Sequence, residues 1–360
     1  MMMQSVYCRS LKRNKDGEID QMASEIKPIY GTQRVQLAHV LPLDTPYSAF
    51  VFPTTFCNFK CAYCGHSLGL ATMKKKYDFS PEHMTMDTYE KTIEQLAEFP
   101  QKLKMLSLTG QGEPLLNPHI ADMVRLAKEK GVAERVEIIS NASKLTPSMA
   151  DGLIDAGLDT LRISLQGLSS KKYEEICQAK VDFDVFVDNV RYFYAHKKTT
   201  NLFLKVMDVA LDEGEDEKFY QLFGDCTDRM YIEHMLPAYD GVEMTKDMKI
   251  ESDRYGVKTD RIYQVCPLAF YMLGVFPNGD VEPCDTIYKP IVLGNVHEGR
   301  ILDMWNSPQM HDFWRMQLEG RRSENKRCAN CCAPNDVAHP EDHLDDYAEE
   351  ILARLKGGTR

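Results

Sequence analysis

Short apolar runs alternate with amphipathic helical stretches from about residue 46 to residue 237. This alternation is typical of βα units built on a parallel sheet. The candidate strands cover residues 49–52, 105–108, 136–139, 160–165, 202–206 and 230–234. Six units are fewer than the eight of a closed barrel, so the pattern predicts an α/β fold with a partial (β/α)6 TIM-like barrel. We expect functional side chains at the carboxyl ends of these strands.

Weaker patterns flank this central segment. Residues 1–45 are polar without a strong period, and they predict an N-terminal arm or a short strand pair. Residues 238–260 are charged and irregular, so we expect a linker there. The expected units of the chain are therefore 1–45, 46–237, 238–260, 261–335 and 336–360.

The C-terminal part of the chain predicts a second, small unit of a β-hairpin and helices. Two apolar runs flank Asn278-Gly279, a dipeptide that favours a two-residue hairpin turn, so we expect a hairpin over residues 271–284. The pattern at residues 302–314 predicts a helix. The acidic amphipathic stretch at residues 342–355 predicts a C-terminal helix.

Composition excludes several classes of function. The chain has 360 residues, of which 43% are hydrophobic and 27% charged, so it can bury a sizeable core. Its net charge of −11 argues against nucleic-acid binding and against a polybasic membrane surface. No apolar run reaches the roughly 18 residues of a membrane span, and the polar N-terminus lacks the apolar core of a secretory signal. We therefore expect a cytoplasmic protein with no nucleic-acid and no membrane partner.

Eleven cysteines in a cytoplasmic protein indicate metal ligands or reduced thiols rather than disulfides. Cys57, Cys61 and Cys64 lie on one loop directly after the first strand. Three thiolates can share one soft metal centre, but zinc sites and iron–sulfur clusters normally take four protein ligands. The position left open is available for chemistry. The alternative is half of a zinc site, and His66 is the only nearby residue that completes one.

A second group of cysteines lies in the C-terminal unit. Its four members make a complete ligand shell: Cys266, Cys284, Cys328 and Cys331. Cys332 is a spare thiol beside the last of them. From this region alone, a structural zinc ribbon remains an alternative to an iron–sulfur cluster. The isolated cysteines are expected to be ordinary buried or surface thiols: Cys8, Cys177 and Cys226.

The C-x3-C-x2-C loop, with the aromatic Tyr63 just before its last cysteine, resembles the signature of the radical S-adenosylmethionine (SAM) superfamily. The resemblance implies that the three thiolates hold a [4Fe–4S] cluster and that Tyr63 belongs to the cofactor site. It also implies that SAM chelates the fourth iron through its amino and carboxylate groups. An electron from the cluster then cleaves SAM and yields a 5′-deoxyadenosyl radical.

The resemblance extends to the loop after the second strand, Gly110-Gln111-Gly112-Glu113. Superfamily members carry a Gly-Gly-Glu-Pro type motif here, whose backbone and carboxylate bind the methionine ammonium. Because Gln111 stands between the glycines, Gly112 and Glu113 are the residues that the resemblance carries over.

Further polar contacts to SAM are implied at the ends of the third and fourth strands. The residues concerned are Ser140, Asn141 and Ser164. The alternative is that these side chains only cap turns. Related enzymes often use an arginine on the next helix for the SAM carboxylate, and residues 169–180 offer only lysines.

The second cysteine group, together with residues 293–296 and 303–305, resembles the SPASM/twitch extensions that hold auxiliary [4Fe–4S] clusters. The full SPASM version has further cysteines, and none follows Cys332 in this chain. The resemblance therefore implies SAM and two [4Fe–4S] clusters, one of them auxiliary. This arrangement is similar to that of 2-deoxy-scyllo-inosamine dehydrogenase, a radical SAM alcohol oxidase, and to that of anaerobic sulfatase-maturating enzymes.

These resemblances imply a radical SAM oxidoreductase that oxidises a small polar substrate, such as a sugar or an aminocyclitol. Two alternatives stay open: a peptide- or protein-modifying maturase, and a non-catalytic metal-binding module. An enzyme of this kind needs a reductant such as flavodoxin or ferredoxin as a partner.

No catalytic acid or base is assigned from the sequence. His119, His234 and Asp240 lie near predicted strand ends, where a lone residue is more often a capping or solvated side chain. Lys205 and Asp208, on or just after the fifth strand, face either the barrel cavity or solvent.

Overall fold

The computed structural model describes residues 11–13, 19–21, 24–28, 34–258, 262–336 and 339–357. Its strands are β1 (Leu11–Arg13), β2 (Ile19–Gln21), β3 (Glu25–Ile26), β4 (Ser48–Val51), β5 (Met105–Leu108), β6 (Val136–Ser140), β7 (Thr160–Leu165), β8 (Asn201–Met207), β9 (Arg229–Glu233), β10 (Met272–Val275), β11 (Asp280–Glu282) and β12 (Gly294–Asn295).

The helices surround this set of strands. They are α1 (Leu37–Val40), α2 (Leu70–Tyr77), α3 (Met86–Leu96), α4 (Ile120–Lys130), α5 (Pro147–Asp155), α6 (Ser170–Cys177), α7 (Phe183–His196), α8 (Glu215–Phe223), α9 (Ile301–Trp305), α10 (Pro308–Leu318), α11 (Lys326–Ala329), α12 (Ala333–Asp336) and α13 (Ala348–Gly357). Among the described residues, no helix combines the length and the apolar character that crossing a membrane requires.

Ten strands of the described chain form one sheet, in the order β12, β11, β10, β4, β5, β6, β7, β8, β9 and β3. The strands from β4 to β9 are neighbours in chain order, and each pair between them is parallel. These are the six predicted strands. The structure thus confirms the α/β fold with a partial barrel, because helices connect the consecutive parallel strands.

Strand β7 shows how the sequence builds the barrel wall. Successive side chains of a strand point to opposite faces. Leu161, Ile163 and Leu165 are buried in the main hydrophobic core, whereas Arg162 and Ser164 belong to the other face. Polar side chains can therefore line the barrel interior without interrupting the core.

The predicted hairpin is present as β10 and β11, and it is not separate from the barrel. Strand β10 pairs in parallel with β4, the first strand of the barrel, so the hairpin extends the sheet beyond β4. Gly279 in the turn has a φ of +89°, a conformation that favours glycine. The pairing brings the C-terminal cysteines beside the strand that leads into the first cysteine loop.

Two helix predictions in the C-terminal part need correction. The helix expected over residues 302–314 is two helices, α9 and α10, because Ser307 caps the second one and Pro308 occupies its first turn. The C-terminal helix begins at Ala348 rather than near residue 342, and short 3₁₀ turns precede it. Leu344 and Ile351 are fully buried, so this tail packs on the core.

The N-terminal arm contains the predicted strand pair, since β1 and β2 are antiparallel neighbours. A further short strand of the arm, β3, pairs in parallel with β9 and forms the edge of the barrel sheet on that side. The isolated thiol Cys8 lies outside the described residues.

Candidate active site

The first cysteine loop follows β4 at the carboxyl end of the barrel. The amide of Cys64 donates to the carbonyl of Cys61 over 2.9 Å, which makes a tight turn between two of the three cysteines. The amides of Lys60 and Ala62 donate to the last carbonyls of helix α6, at 2.9 and 2.7 Å. The loop is therefore fastened to the barrel on both sides of Cys61.

The three thiols of this loop lie in a poorly solvated environment. Burial raises the pKa of Cys57 to about 12 and also raises the pKa of Cys64. The pKa of Cys61 is raised by its hydrogen bond with Cys177 and by burial. Thiolates in such a place need a positive centre, which a metal supplies.

The donor set fits an iron–sulfur cluster. Thiolates are the ligands that such clusters take in proteins. The Nε2 atom of His66 lies 2.6 Å from the carbonyl oxygen of Gln111. Within the described ranges, no three His, Cys, Asp or Glu side chains lie close enough to share a single metal ion.

Gly112 brings the glycine loop against the start of the cysteine loop. A Cβ atom at this position would lie 2.5 Å from the carbonyl oxygens of both Thr54 and Phe56. The amide of Glu113 donates to the Phe56 carbonyl over 2.7 Å. Only glycine permits this approach without a backbone shift.

The Glu113 carboxylate is buried and bonded to the protein itself. It accepts hydrogen bonds from the Ser140 hydroxyl at 2.6 Å, the Asn141 amide at 2.7 Å and the Leu115 amide at 3.0 Å. Burial raises its pKa, and these hydrogen bonds counteract the increase. The structure thus brings Glu113, Ser140 and Asn141 together, and in this arrangement the carboxylate joins β5 to β6.

Asn141 continues this network to the cysteine loop. Its side-chain amide donates to the Asn58 side chain over 3.1 Å, and Asn58 in turn donates to the Ser143 hydroxyl over 2.8 Å. The position of the loop is therefore coupled to the end of β6. Asn58 was not among the predicted site residues, although it lies next to Cys57.

Tyr63 is linked to Ser164 through Gln166 at the end of β7. The Tyr63 hydroxyl donates to the side chain of Gln166, whose amide donates to the Ser164 carbonyl at 3.2 Å. Ser164 is also paired in register with Lys205 of β8. Of the predicted SAM contacts, these two therefore form a group apart from Glu113.

No sequence pattern indicated a role for Tyr239, which lies in the segment expected to be a linker. Its hydroxyl donates a hydrogen bond to the Cys64 thiol. Its ring packs on Gly65, where an added Cβ would lie 3.1 Å from the Tyr239 Cδ1 atom. The segment 238–258 is therefore part of the site. Cys177, expected to be an isolated thiol, is buried against Cys61.

The four cysteines of the second group line one small cavity in the C-terminal unit: Cys266, Cys284, Cys328 and Cys331. Burial raises the pKa of Cys328 to about 11 and that of Cys331 to about 12. Arg322 donates to the carbonyls of both residues, at 2.5 and 3.1 Å, and so shapes the C-x2-C turn. Four convergent thiols fit a closed iron–sulfur site. Cys332 does not line this cavity and faces the barrel instead.

A cavity of about 700 Å³ lies within the barrel, and Cys331 of the second cysteine group is among its lining residues. Its walls include Tyr239, Asp285 and Cys331. The backbone carbonyl of Asp285 accepts a hydrogen bond from the Gln111 side chain at 2.9 Å, which ties the auxiliary hairpin to the glycine loop. Burial raises the pKa of the Asp285 carboxyl to about 6.

The acid–base candidates considered from the sequence lie elsewhere. His119 is half exposed beside Asp122, and His234 bonds to Asp208 over 2.8 Å. Asp240 forms an ion pair with Lys76 of helix α2. None of the three candidates is among the cavity-lining residues of the described chain, whereas Lys205 is.

Comparison with known proteins agrees with this architecture. The family model described as the radical SAM superfamily matches residues 51–222, and that of the SPASM family, described as an iron–sulfur cluster-binding domain, matches residues 266–332. A tungsten-containing aldehyde ferredoxin oxidoreductase cofactor-modifying protein from Pyrococcus furiosus is 23% identical over 296 residues, which are 71% of this chain and 79% of that protein.

Two solved structures share the fold. BtrN in complex with AdoMet and 2-DOIA has a TM-score of 0.50 and 20% identity, over 81% of this chain and 93% of BtrN. The enzyme anSMEcpe with bound AdoMet and the Cp18Cys peptide has a TM-score of 0.53 and 16% identity, over 87% of this chain and 96% of that one. The chain carries a radical SAM domain followed by a SPASM-type iron–sulfur domain, and its cofactors are SAM and [4Fe–4S] clusters.

Proposed function

We propose that this enzyme cleaves SAM reductively at a cluster held by Cys57, Cys61 and Cys64, and that it oxidises a small polar substrate in the barrel cavity. The auxiliary cluster would be held by Cys266, Cys284, Cys328 and Cys331. When bound, the first cluster supplies the electron that makes the 5′-deoxyadenosyl radical from SAM, and the second accepts the electron that substrate oxidation releases.

The position of Asp285 supports an oxidation most directly. It lines the cavity, directly follows Cys284, and is joined through its carbonyl to Gln111 of the glycine loop. A two-electron oxidation of an H–C–O–H group releases one hydrogen atom, one proton and one electron. The hydrogen atom is carried away in 5′-deoxyadenosine, and Asp285 accepts the proton. The electron would pass to the auxiliary cluster, of which Cys284 is a proposed ligand. A general base must lie within reach of the proton that it removes, and Asp285 lines the cavity in which the substrate is proposed to bind.

The size of the cavity supports a small molecule. A volume of about 700 Å³ lies within the range of ordinary small-molecule pockets. The second candidate is modification of a peptide side chain. It is favoured by the shared fold with anSMEcpe, whose structure holds a peptide, although that likeness concerns the fold alone.

The substrate class can be found by isotope transfer. Anaerobically reconstituted protein is incubated with SAM, dithionite and deuterated candidates, namely sugars, aminocyclitols, small carboxylic acids and side-chain-labelled peptides. Deuterium in 5′-deoxyadenosine identifies the molecule that loses the hydrogen atom, and the oxidised product lacks one deuterium atom and one proton of the deuterated substrate. Transfer only from peptides would favour the maturase. Absence of any 5′-deoxyadenosine would favour the non-catalytic metal-binding module.

The role of Asp285 is tested by Asp285→Asn. We expect 5′-deoxyadenosine to form still, while the oxidised product falls by about 10²- to 10⁴-fold, the usual contribution of a general base. Asp240→Asn is the matched control, because this residue forms an ion pair with Lys76 at 2.6 Å outside the cavity. An Asp285→Asn enzyme with the product yield of the control would exclude Asp285 as the base.

A further inference from the structure

Three cations from three segments of the chain face the barrel cavity together. They are Arg162 on β7, Lys205 on β8 and Arg254 in the segment after β9. Behind them lies Glu233, which is fully buried and does not reach the cavity. The Lys205 Nζ lies 2.6 Å from a Glu233 oxygen, and the two arginines approach the same carboxylate at 3.8 and 3.9 Å.

The three cations share Glu233, and two of them have a further carboxylate partner. Arg254 has a second partner, since it forms two hydrogen bonds with Asp336 at 2.9 and 2.6 Å. Arg162 has only a longer contact with Glu137, at 3.4 Å. Among the described residues, Lys205 has Glu233 alone as a carboxylate partner, and the two carboxylates near Arg162 lie at 3.4 and 3.9 Å.

The same two side chains have hydrogen-bond donors to spare. A lysine ammonium carries three N–H donors and an arginine five. The described hydrogen bonds use one donor of Lys205 and one of Arg162. Both side chains are mostly buried, with 11% and 20% exposure, so bulk water supplies little solvation. Buried charged donors require acceptors, and an anion in the cavity provides them.

The cation group is also close to the proposed chemistry. Asp285 lines the same cavity as the three cations. Ser164 is paired in register with Lys205 at the end of β7, and Tyr63 lies near the same strand end. A molecule of modest size can therefore hold an anionic group on the cations and present a C–H bond near Asp285.

Resting on the function proposed above, we propose that Lys205 and Arg162 bind an oxyanion of the substrate, either a carboxylate or a phosphate. The substrate class is then an anionic small molecule. A cationic aminocyclitol is disfavoured, because its ammonium groups would meet the same three cations.

Binding of small probes to the SAM-loaded, reconstituted protein tests this inference by isothermal titration calorimetry. The probes are inorganic phosphate, succinate and 1,3-diaminopropane. We expect at least one of the two oxyanions to bind at least tenfold more tightly than the diamine. The stronger of phosphate and succinate identifies which oxyanion the site prefers. Equal binding of all three probes, or a preference for the diamine, would overturn the proposal.

The variant Lys205→Met removes the charge and keeps the length of the side chain. We expect it to weaken binding of the preferred oxyanion at least tenfold. Lys197→Met is the matched control, because Lys197 pairs with Asp228 at 3.0 Å and does not line the cavity. If Lys205→Met does not fold, Arg162→Gln replaces it, and the probe preference of the unaltered protein decides in any case. Unchanged binding in the folded variants would refute the assignment.

This experiment is independent of catalysis. It needs no reductant and no turnover, so a protein that binds oxyanions but leaves SAM intact would contradict the proposed function alone. A protein that cleaves SAM but shows no oxyanion preference would contradict the inference about the substrate alone.

Discussion

Glu233→Gln tests the electrostatic organisation of the barrel wall most sharply. Burial alone would raise the pKa of Glu233, but Lys205, Arg254 and Arg162 hold it at about 2, against an ordinary value of 4.5. At about 1.4 kcal/mol for each pKa unit, that difference corresponds to about 3 kcal/mol of stability at neutral pH. Breaking a buried ion pair costs about 3–5 kcal/mol, which agrees in size. We therefore expect the free energy of unfolding to fall by about 3 kcal/mol.

The assay is urea unfolding followed by far-UV circular dichroism at pH 7. Glu243→Gln is the matched control, because Glu243 is exposed and contacts only Lys246 among its described partners, at 2.6 Å. We expect the control variant to unfold at the same urea concentration as the unaltered protein. A loss below about 1 kcal/mol for Glu233→Gln would show that the three cations do not depend on this carboxylate.

The sign of the pH dependence follows from the lowered pKa of Glu233. Its stabilisation is fully present above pH 4.5 and is lost as the pH falls toward 2. The difference between the unaltered protein and Glu233→Gln should therefore stay constant between about pH 8 and pH 5.5. A difference that shrinks within this range would mean that the carboxyl is not held ionised by its neighbours.

Further predictions concern the two loops. Gly112→Ala should weaken SAM binding at least tenfold in equilibrium dialysis, because the new Cβ would lie 2.5 Å from the Phe56 carbonyl oxygen; unchanged affinity would refute the close approach. Gly152→Ala, within helix α5 and with no neighbour nearer than 3.5 Å, should instead stabilise the protein by about 0.5–1 kcal/mol, and a loss of stability would contradict this. Cys331→Ala should lower the iron content from about eight to about four atoms per chain, whereas Cys332→Ala should keep about eight; the reverse pattern would exchange their roles.

The features predicted correctly from the sequence have local causes. The strand expected at residues 160–165 is β7 to the residue, because its apolar positions repeat with the period of a half-buried strand. The hairpin turn at Asn278-Gly279 is equally local. The single helix expected over residues 302–314 was wrong, even though Ser307-Pro308 is itself a local signal for a new helix start.

The features that the sequence did not reveal depend on contacts between distant segments. Tyr239 and Arg254 lie in a stretch without periodicity, and only the folded chain brings them to Cys64 and Glu233. The parallel pairing of β10 with β4 joins segments more than 200 residues apart. Nor does any sequence pattern indicate that Asp285 lines the barrel cavity. Each of these features belongs to the site, where residues from many elements meet.

The most direct measurement of the central claim is the fate of SAM with the reduced protein. Anaerobically reconstituted protein is mixed with SAM and dithionite, and 5′-deoxyadenosine and methionine are quantified by liquid chromatography. We predict that both products form in equal amounts, and that neither forms with Cys61→Ala. Intact SAM after reduction of a fully iron-loaded protein would contradict the account.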